Sequence, residues 1–148
     1  MIPTVEWKYG VVRLLDQSVL PGKVEILECR DYQTVAQAIR DLRVRGAPAI
    51  GVTAALGIAL GAQSISEQPF EKFQRQFISV CDYMAATRPT AVNLFWAIKR
   101  MKRVVQQGES QSIEDLKQQL IKEAQAMVEE DISINRAIGD FGAALIQP

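Results

Sequence analysis

The sequence predicts an α+β domain, a small three-stranded antiparallel sheet followed by a bundle of about five helices. Three observations predict it. Residues 1–30 carry short, partly alternating runs of β-branched and aromatic residues, the pattern of half-buried strands. From Thr34 onward the apolar residues recur at helical spacing. Ala47 to Ala62 is apolar nearly throughout, as expected of a helix buried at the centre of a bundle. The whole of 1–148 therefore reads as a single domain, with a β meander over 1–30 and the helical bundle over 31–148.

The strands come first. Val5 to Tyr9, Val11 to Leu15 and Val24 to Cys29 are the three candidates. Gly10 allows a tight turn between the first two, and Asp16 to Lys23, with Pro21-Gly22, makes a longer connection to the third. Thr34-Val35-Ala36-Gln37 has the form of a capping box, so the first helix is expected from Thr34 to near Arg43, with Val35, Ala38, Ile39 and Leu42 on its apolar face. Pro48 suits the first position of the second helix, because its φ is preset and its missing N–H would lack a partner there anyway. Gly51, Gly57 and Gly61 let neighbouring backbones approach that helix closely.

Ser64 to Gln68 is polar and leads to Pro69. Phe70, Phe73, Phe77, Cys81 and Met84 then form the stripe of a third helix. Arg88-Pro89-Thr90 breaks that pattern and has the form of another helix start. Leu94, Ile98, Met101 and Val105 set the face of the fourth helix, with Lys99, Arg100, Lys102 and Arg103 mostly off it, toward the end where cations complement the dipole. Ser112 can cap a long last helix with Glu114 and Asp115 in its first turn. Its apolar series runs Ile113, Leu116, Leu120, Ala124, Met127, Ile134, Ile138, Phe141 and Leu145, and Asp131 stands where an apolar residue is due. A buried carboxylate is costly unless paired, so Asp131 marks a polar seam or faces a partner.

Composition excludes several functions. Seventeen Lys plus Arg balance seventeen Asp plus Glu, so the chain lacks the basic field that nucleic-acid binders use. It contains no histidine, which removes the commonest general base and metal ligand and excludes histidine triads and zinc sites. Cys29 and Cys81 are far apart, have no base nearby in the sequence and read as small buried residues in a reduced, cytoplasmic protein. The apolar run over Ala47 to Ala62 is shorter than the roughly 20 residues a membrane span needs.

The chemistry concentrates at Val44-Arg45-Gly46-Ala47-Pro48. The amides of a helix's first turn have no partners inside the helix and the dipole is positive there, so an arginine beside them completes an anion cradle. Gly46 gives the turn its freedom. Arg88, before Pro89 and Thr90, repeats the arrangement, and two arginine forks beside two helix starts suit a phosphate. On spacing alone, two unrelated solvated arginines fit equally well.

Arg45-Gly46-Ala47-Pro48-Ala49-Ile50-Gly51, Arg88-Pro89-Thr90-Ala91-Val92-Asn93-Leu94, and Glu130-Asp131 to Asn135 with Ile138-Gly139 closely resemble the methylthioribose-1-phosphate isomerase family. Asp16-Gln17 with Leu20-Pro21 looks like that family's opening, and the resemblance extends over essentially the whole chain. It implies an enzyme of methionine salvage that converts an aldose 1-phosphate into the ketose without a metal or organic cofactor. It also places the chain in one superfamily with the initiation-factor 2B α, β and δ subunits. Such proteins have an N-terminal domain of sheet plus helices, then a Rossmann-like domain, and usually form dimers.

By that resemblance Arg45, Gly46 and Ala47 form the substrate-binding turn and Arg88 is the second substrate-contacting arginine. The family's catalytic cysteine and aspartate belong to later segments, and neither Cys29 nor Asp131 is their counterpart. The expectation is an N-terminal domain that grips a sugar phosphate, holds no metal or cofactor and does not turn over by itself. It would associate with a second copy or with the missing C-terminal domain, and not with nucleic acid or membrane. The alternatives are a non-catalytic regulatory or assembly module like the initiation-factor subunits, and part of a ribose 1,5-bisphosphate isomerase.

Overall fold

The computed structural model describes residues 2–66 and 69–146; residues 67 and 68 of the polar stretch expected over Ser64 to Gln68 lie outside them, as do Met1, Gln147 and Pro148. Among the described residues, three strands precede five helices: β1 (Val5–Lys8), β2 (Val11–Leu15), β3 (Ile26–Cys29), α1 (Tyr32–Arg40), α2 (Ala47–Gln63), α3 (Phe70–Ala85), α4 (Val92–Gln107) and α5 (Ile113–Ala143). The sheet is the expected antiparallel meander in the order β1-β2-β3. Lys8 pairs with Val11, so Tyr9 and Gly10 alone make the turn, both at positive φ (53° and 75°), as a two-residue hairpin of the primed type requires. Val12, Leu14 and Cys29 point into the core. β3 starts two residues later than the pattern predicts, and Val24 is exposed.

α2 is the axis of the bundle. Every residue from Ile50 to Ala62 is buried, and α2 packs against the other four helices and the first two strands. Its glycines allow this. A Cβ at Gly57 would lie 2.7 Å from the Met84 side chain and 2.8 Å from Val35, and one at Gly61 would lie 2.6 Å from Val80. Phe73, Phe77, Cys81 and Met84 of α3, and Leu94, Ile98, Met101 and Val105 of α4, fill the space around it.

Three local expectations are corrected. The cap of α1 is Asp31 rather than Thr34: its carboxylate accepts the Thr34 amide at 2.7 Å, so the helix starts one turn earlier. α1 also ends at Arg40, and Leu42 is exposed at φ 58° instead of lying on the apolar face. α4 starts at Val92 with Ala91 as its cap. Arg88-Pro89-Thr90 is therefore the turn that leads to the helix, closed by the Ala91 amide donating to the Arg88 carbonyl at 3.0 Å.

α5 divides into two halves. Ser112 caps it as expected, its hydroxyl accepting the Asp115 amide at 3.1 Å, and Leu116, Leu120, Ala124 and Met127 are buried. Ile134, Ile138, Phe141 and Leu145, which the periodicity assigns to the core, are exposed, and Leu145 lies past the end of the helix. Asp131 is correspondingly not a buried carboxylate. It is half-exposed, and Oδ1 accepts from the Asn135 side chain at 3.1 Å.

Candidate functional site

The turn between α1 and α2 is built from both sides. Gly46 caps α2 at φ 93°, a conformation that favours glycine, and its carbonyl accepts the Ile50 amide at 2.9 Å. Gly46 has no side chain to cap the helix, so the first-turn amides of α2 receive no side-chain acceptor. Ala47 is the first helical residue and Pro48 the second, one position later than expected. Arg45 is exposed, and its Nε donates to the Leu42 carbonyl at 3.2 Å. That bond fixes the base of the guanidinium and leaves its outer face open.

Arg88 lies half-buried in the α3–α4 turn, next to Thr87, whose hydroxyl donates to the Met84 carbonyl at 2.7 Å. α4, like α2, has no side-chain cap. Among the described residues neither Arg45 nor Arg88 forms an ion pair, nor do Arg40, Arg75, Arg103 and Arg136, whereas Arg13, Arg30, Arg43 and Arg100 pair with carboxylates.

The two helix starts meet. A Cβ at Gly51, in the second turn of α2, would lie 2.8 Å from the main-chain oxygen of Asn93, the second residue of α4. The fold therefore brings together the helices that begin just after the Arg45-Gly46 turn and the Arg88-Thr90 turn. The turn before each of these helix starts carries an arginine without a carboxylate partner, and an arginine beside first-turn amides is the chemistry that suits an anion. Clefts of about 410 Å³, lined by Trp96, Arg100 and Glu123 among others, and about 320 Å³, lined by Lys8, Tyr9 and Arg13 among others, take in neither Arg45 nor Arg88.

Cys29 and Cys81 are fully buried, and burial pushes them up to about 11 and about 12. At neutral pH both are thiols rather than nucleophilic thiolates.

Two groups of residues escaped the sequence reading. Arg100 was expected only to complement a helix dipole. It instead ties α4 to α5, through Glu123 and through a two-pronged contact with Glu130 at 2.5 and 2.7 Å, and it lies over the Trp96 ring. The Arg100 guanidinium holds Glu130 below the usual carboxylate range. The second group is the pair Asp16 and Arg43, 27 residues apart and joined at 3.4 Å. Asp16-Gln17 stood out only through a resemblance, and no local pattern links it to Arg43.

A three-stranded antiparallel meander feeding a glycine-tuned bundle, with the starts of α2 and α4 in contact at Gly51 and Asn93, defines an α+β domain. The model of the initiation factor 2 subunit family, IF-2B, matches residues 43–148, and the chain belongs to that family. It is 51% identical over 97% of its length to the methylthioribose-1-phosphate isomerase of Geobacter sulfurreducens, and 50% identical over 97% to that of Geotalea daltonii. It spans 41% and 42% of the lengths of these relatives.

Solved structures agree. The 5-methylthioribose 1-phosphate isomerase of Pyrococcus horikoshii OT3 superposes with a TM-score of 0.93 at 35% identity, covering 99% of this chain and 41% of that one. The translation initiation factor eIF-2B subunit delta from A. fulgidus superposes with a TM-score of 0.90 at 39% identity, covering 99% and 42%.

Proposed function

We propose that this chain is the phosphate-gripping N-terminal domain of an aldose–ketose isomerase acting on 5-methylthioribose 1-phosphate in methionine salvage, in the cytoplasm. The observation that carries the reading is the meeting of the α2 and α4 starts, with Arg45 and Arg88, neither in an ion pair among the described residues, in the turns that precede them. The isomerase relatives support the substrate class. Arg45, Gly46, Ala47 and Arg88 are the substrate-binding residues. Arg45 and Arg88 supply charged forks, and the Gly46-Ala47 backbone supplies close amides.

Isomerisation moves hydrogen between adjacent sugar carbons and needs an acid or base poised at them. The chain has no histidine, and its two thiols are buried and protonated. Gripping the phosphate binds substrate and transition state alike, so it contributes affinity without chemistry. A second, Rossmann-like domain would supply the reacting groups, and the complete enzyme would work as a dimer.

The test is equilibrium binding of 5-methylthioribose 1-phosphate to the wild-type chain and to Arg45→Ala and Arg88→Ala. A Kd on the order of 1 mM is expected, with each substitution weakening it roughly tenfold or more, as the loss of a charged hydrogen bond implies. No ketose should form. Equal affinity in all three proteins would overturn the reading.

The likeness to the eIF-2B delta subunit favours a second reading, a non-catalytic assembly module. A stable stoichiometric protein partner, together with no sugar-phosphate binding, would select it.

A further inference from the structure

Buried carboxylates are costly and persist where something holds them. Asp16, only 3% exposed, follows the last residue of β2. Its Oδ1 accepts the Ser18 amide at 2.9 Å and the Ser18 hydroxyl at 2.5 Å, and its Oδ2 faces Arg43 Nη1 at 3.4 Å. These Ser18 bonds, with Arg43 adding to them against the effect of burial, hold the Asp16 carboxyl below its ordinary range. The anion therefore stays charged beside Arg43 at neutral pH.

Arg43 is held through both its main chain and its side chain. Its carbonyl accepts the Gln17 amide at 2.8 Å, its own amide donates to the Ala38 carbonyl at 3.0 Å, and its side chain reaches Asp16 and, at 3.9 Å, Asp41. Just before it, Leu42 sits at φ 58°. A branched residue in the left-handed region is strained and stays there only where its surroundings over-determine it. The main-chain bonds that close α1 supply that constraint: the Leu42 amide donates to the Ile39 carbonyl at 3.3 Å and the Arg43 amide to the Ala38 carbonyl, which puts Leu42 at the left-handed position of a helix-closing turn that Arg43 ties to the end of β2. Its product is the Leu42 carbonyl, aimed to accept Arg45 Nε at 3.2 Å.

We propose that Asp16 is a positioning residue for the substrate-binding arginine: through Arg43 it anchors the turn in which Leu42 lies, and the Leu42 carbonyl then orients the Arg45 guanidinium. This rests on the sugar-phosphate reading of Arg45. The end of β2, the central strand, thereby sets the geometry of the Arg45 turn.

The test compares the wild-type chain with Asp16→Asn, Arg43→Met and Arg43→Lys. It reads the ligand-free Arg45 Nε–Hε and Gly46 amide resonances, the Kd for 5-methylthioribose 1-phosphate, and the thermal midpoint. Asp16→Asn and Arg43→Met should move both resonances and weaken binding about tenfold at temperatures well below their midpoints, whereas Arg43→Lys should retain most of the affinity. A merely structural Asp16 would lower the midpoint and leave the affinity of the folded protein unchanged. Unmoved resonances in Asp16→Asn overturn the inference. Should that variant not fold, unmoved resonances in Arg43→Met overturn it equally, because the Arg43 side chain is half-exposed and lies outside the apolar core. If the wild type binds nothing yet the Arg45 resonance moves in Asp16→Asn, the positioning stands and the substrate reading falls.

Discussion

Gly51→Ala is the sharpest probe of how α2 meets α4. The added methyl would lie 2.8 Å from the Asn93 oxygen, 3.3 Å from its carbonyl carbon and 3.4 Å from its Cβ. The nearest two are backbone atoms, so relief requires the helices to separate rather than a side chain to rotate. Overpacking of this kind costs about 1–3 kcal/mol, offset by about 1 kcal/mol from replacing glycine within a helix. Gly139→Ala is the control. It gains the same helix preference, in α5, where a Cβ would meet nothing within 4 Å.

The difference between the two variants therefore isolates the contact. Gly139→Ala should be more stable than wild type by about 0.5–1 kcal/mol, and Gly51→Ala should lie about 1–3 kcal/mol below Gly139→Ala. In a domain of this size, that gap corresponds to roughly 2–4 °C in thermal midpoint per kcal/mol. Urea and thermal unfolding followed by circular dichroism read both. Equal stability of the two variants would refute the close approach, and with it the convergence of the two helix starts.

Three further outcomes follow from the structure. Burial holds both thiols above their ordinary range, so neither Cys29 nor Cys81 should react with a thiol reagent at pH 8 until the chain is unfolded. Their contribution to stability is whole below the unfolded thiol value of about 8.5 and is lost as pH rises toward about 11 and 12; rapid native labelling at pH 8 would contradict this. Asp16 has the opposite sign. Its lowered carboxyl stabilises the fold above the unfolded value of about 3.9, and this is lost as pH falls below it, so the urea midpoint of wild type should drop more steeply between pH 5 and pH 2 than that of Asp16→Asn, and parallel curves would count against the buried anion. The exposed Ile134, Ile138 and Phe141 of α5 should drive association, giving dimers or larger species in light scattering at high concentration, with Ile138→Lys plus Phe141→Lys shifting the chain toward monomer; a clean wild-type monomer would contradict it.

Most of the fold was legible because its signals are local. The apolar composition of α2, the aromatic stripe of α3, the Ser112 cap and the Tyr9-Gly10 turn each announce themselves within a few residues. The errors arise where two local signals compete. Thr34 and Asp31 both suit a cap, and the aspartate three residues earlier takes the Thr34 amide first. Leu42 matches the helical period, but the chain is already turning, held left-handed by contacts around Arg43.

Periodicity also cannot say what a face packs against. Ile134, Ile138 and Phe141 continue the stripe of α5, yet among the described residues no element covers them. In the candidate site, Arg45, Gly46 and Arg88 were visible as helix-start chemistry. The approach of α2 to α4 was not, because it depends on Gly51 touching Asn93 across 42 positions of sequence. Asp16 with Arg43, and Arg100 with Glu123 and Glu130, were invisible for the same reason: a charge pair between distant segments leaves no spacing to read.

The central claim is that the Arg45-Gly46 turn and the Arg88 turn hold one phosphate between them. Amide mapping during titration of the labelled chain with 5-methylthioribose 1-phosphate, beside the same sugar without phosphate, tests it most directly. Gly46, Ala47 and Ile50 in one segment and Arg88 and Ala91 in the other should move together along one saturation curve, only for the phosphorylated sugar, and should stay still in Arg45→Ala. Shifts confined to one segment, or no shifts at millimolar ligand, would contradict it.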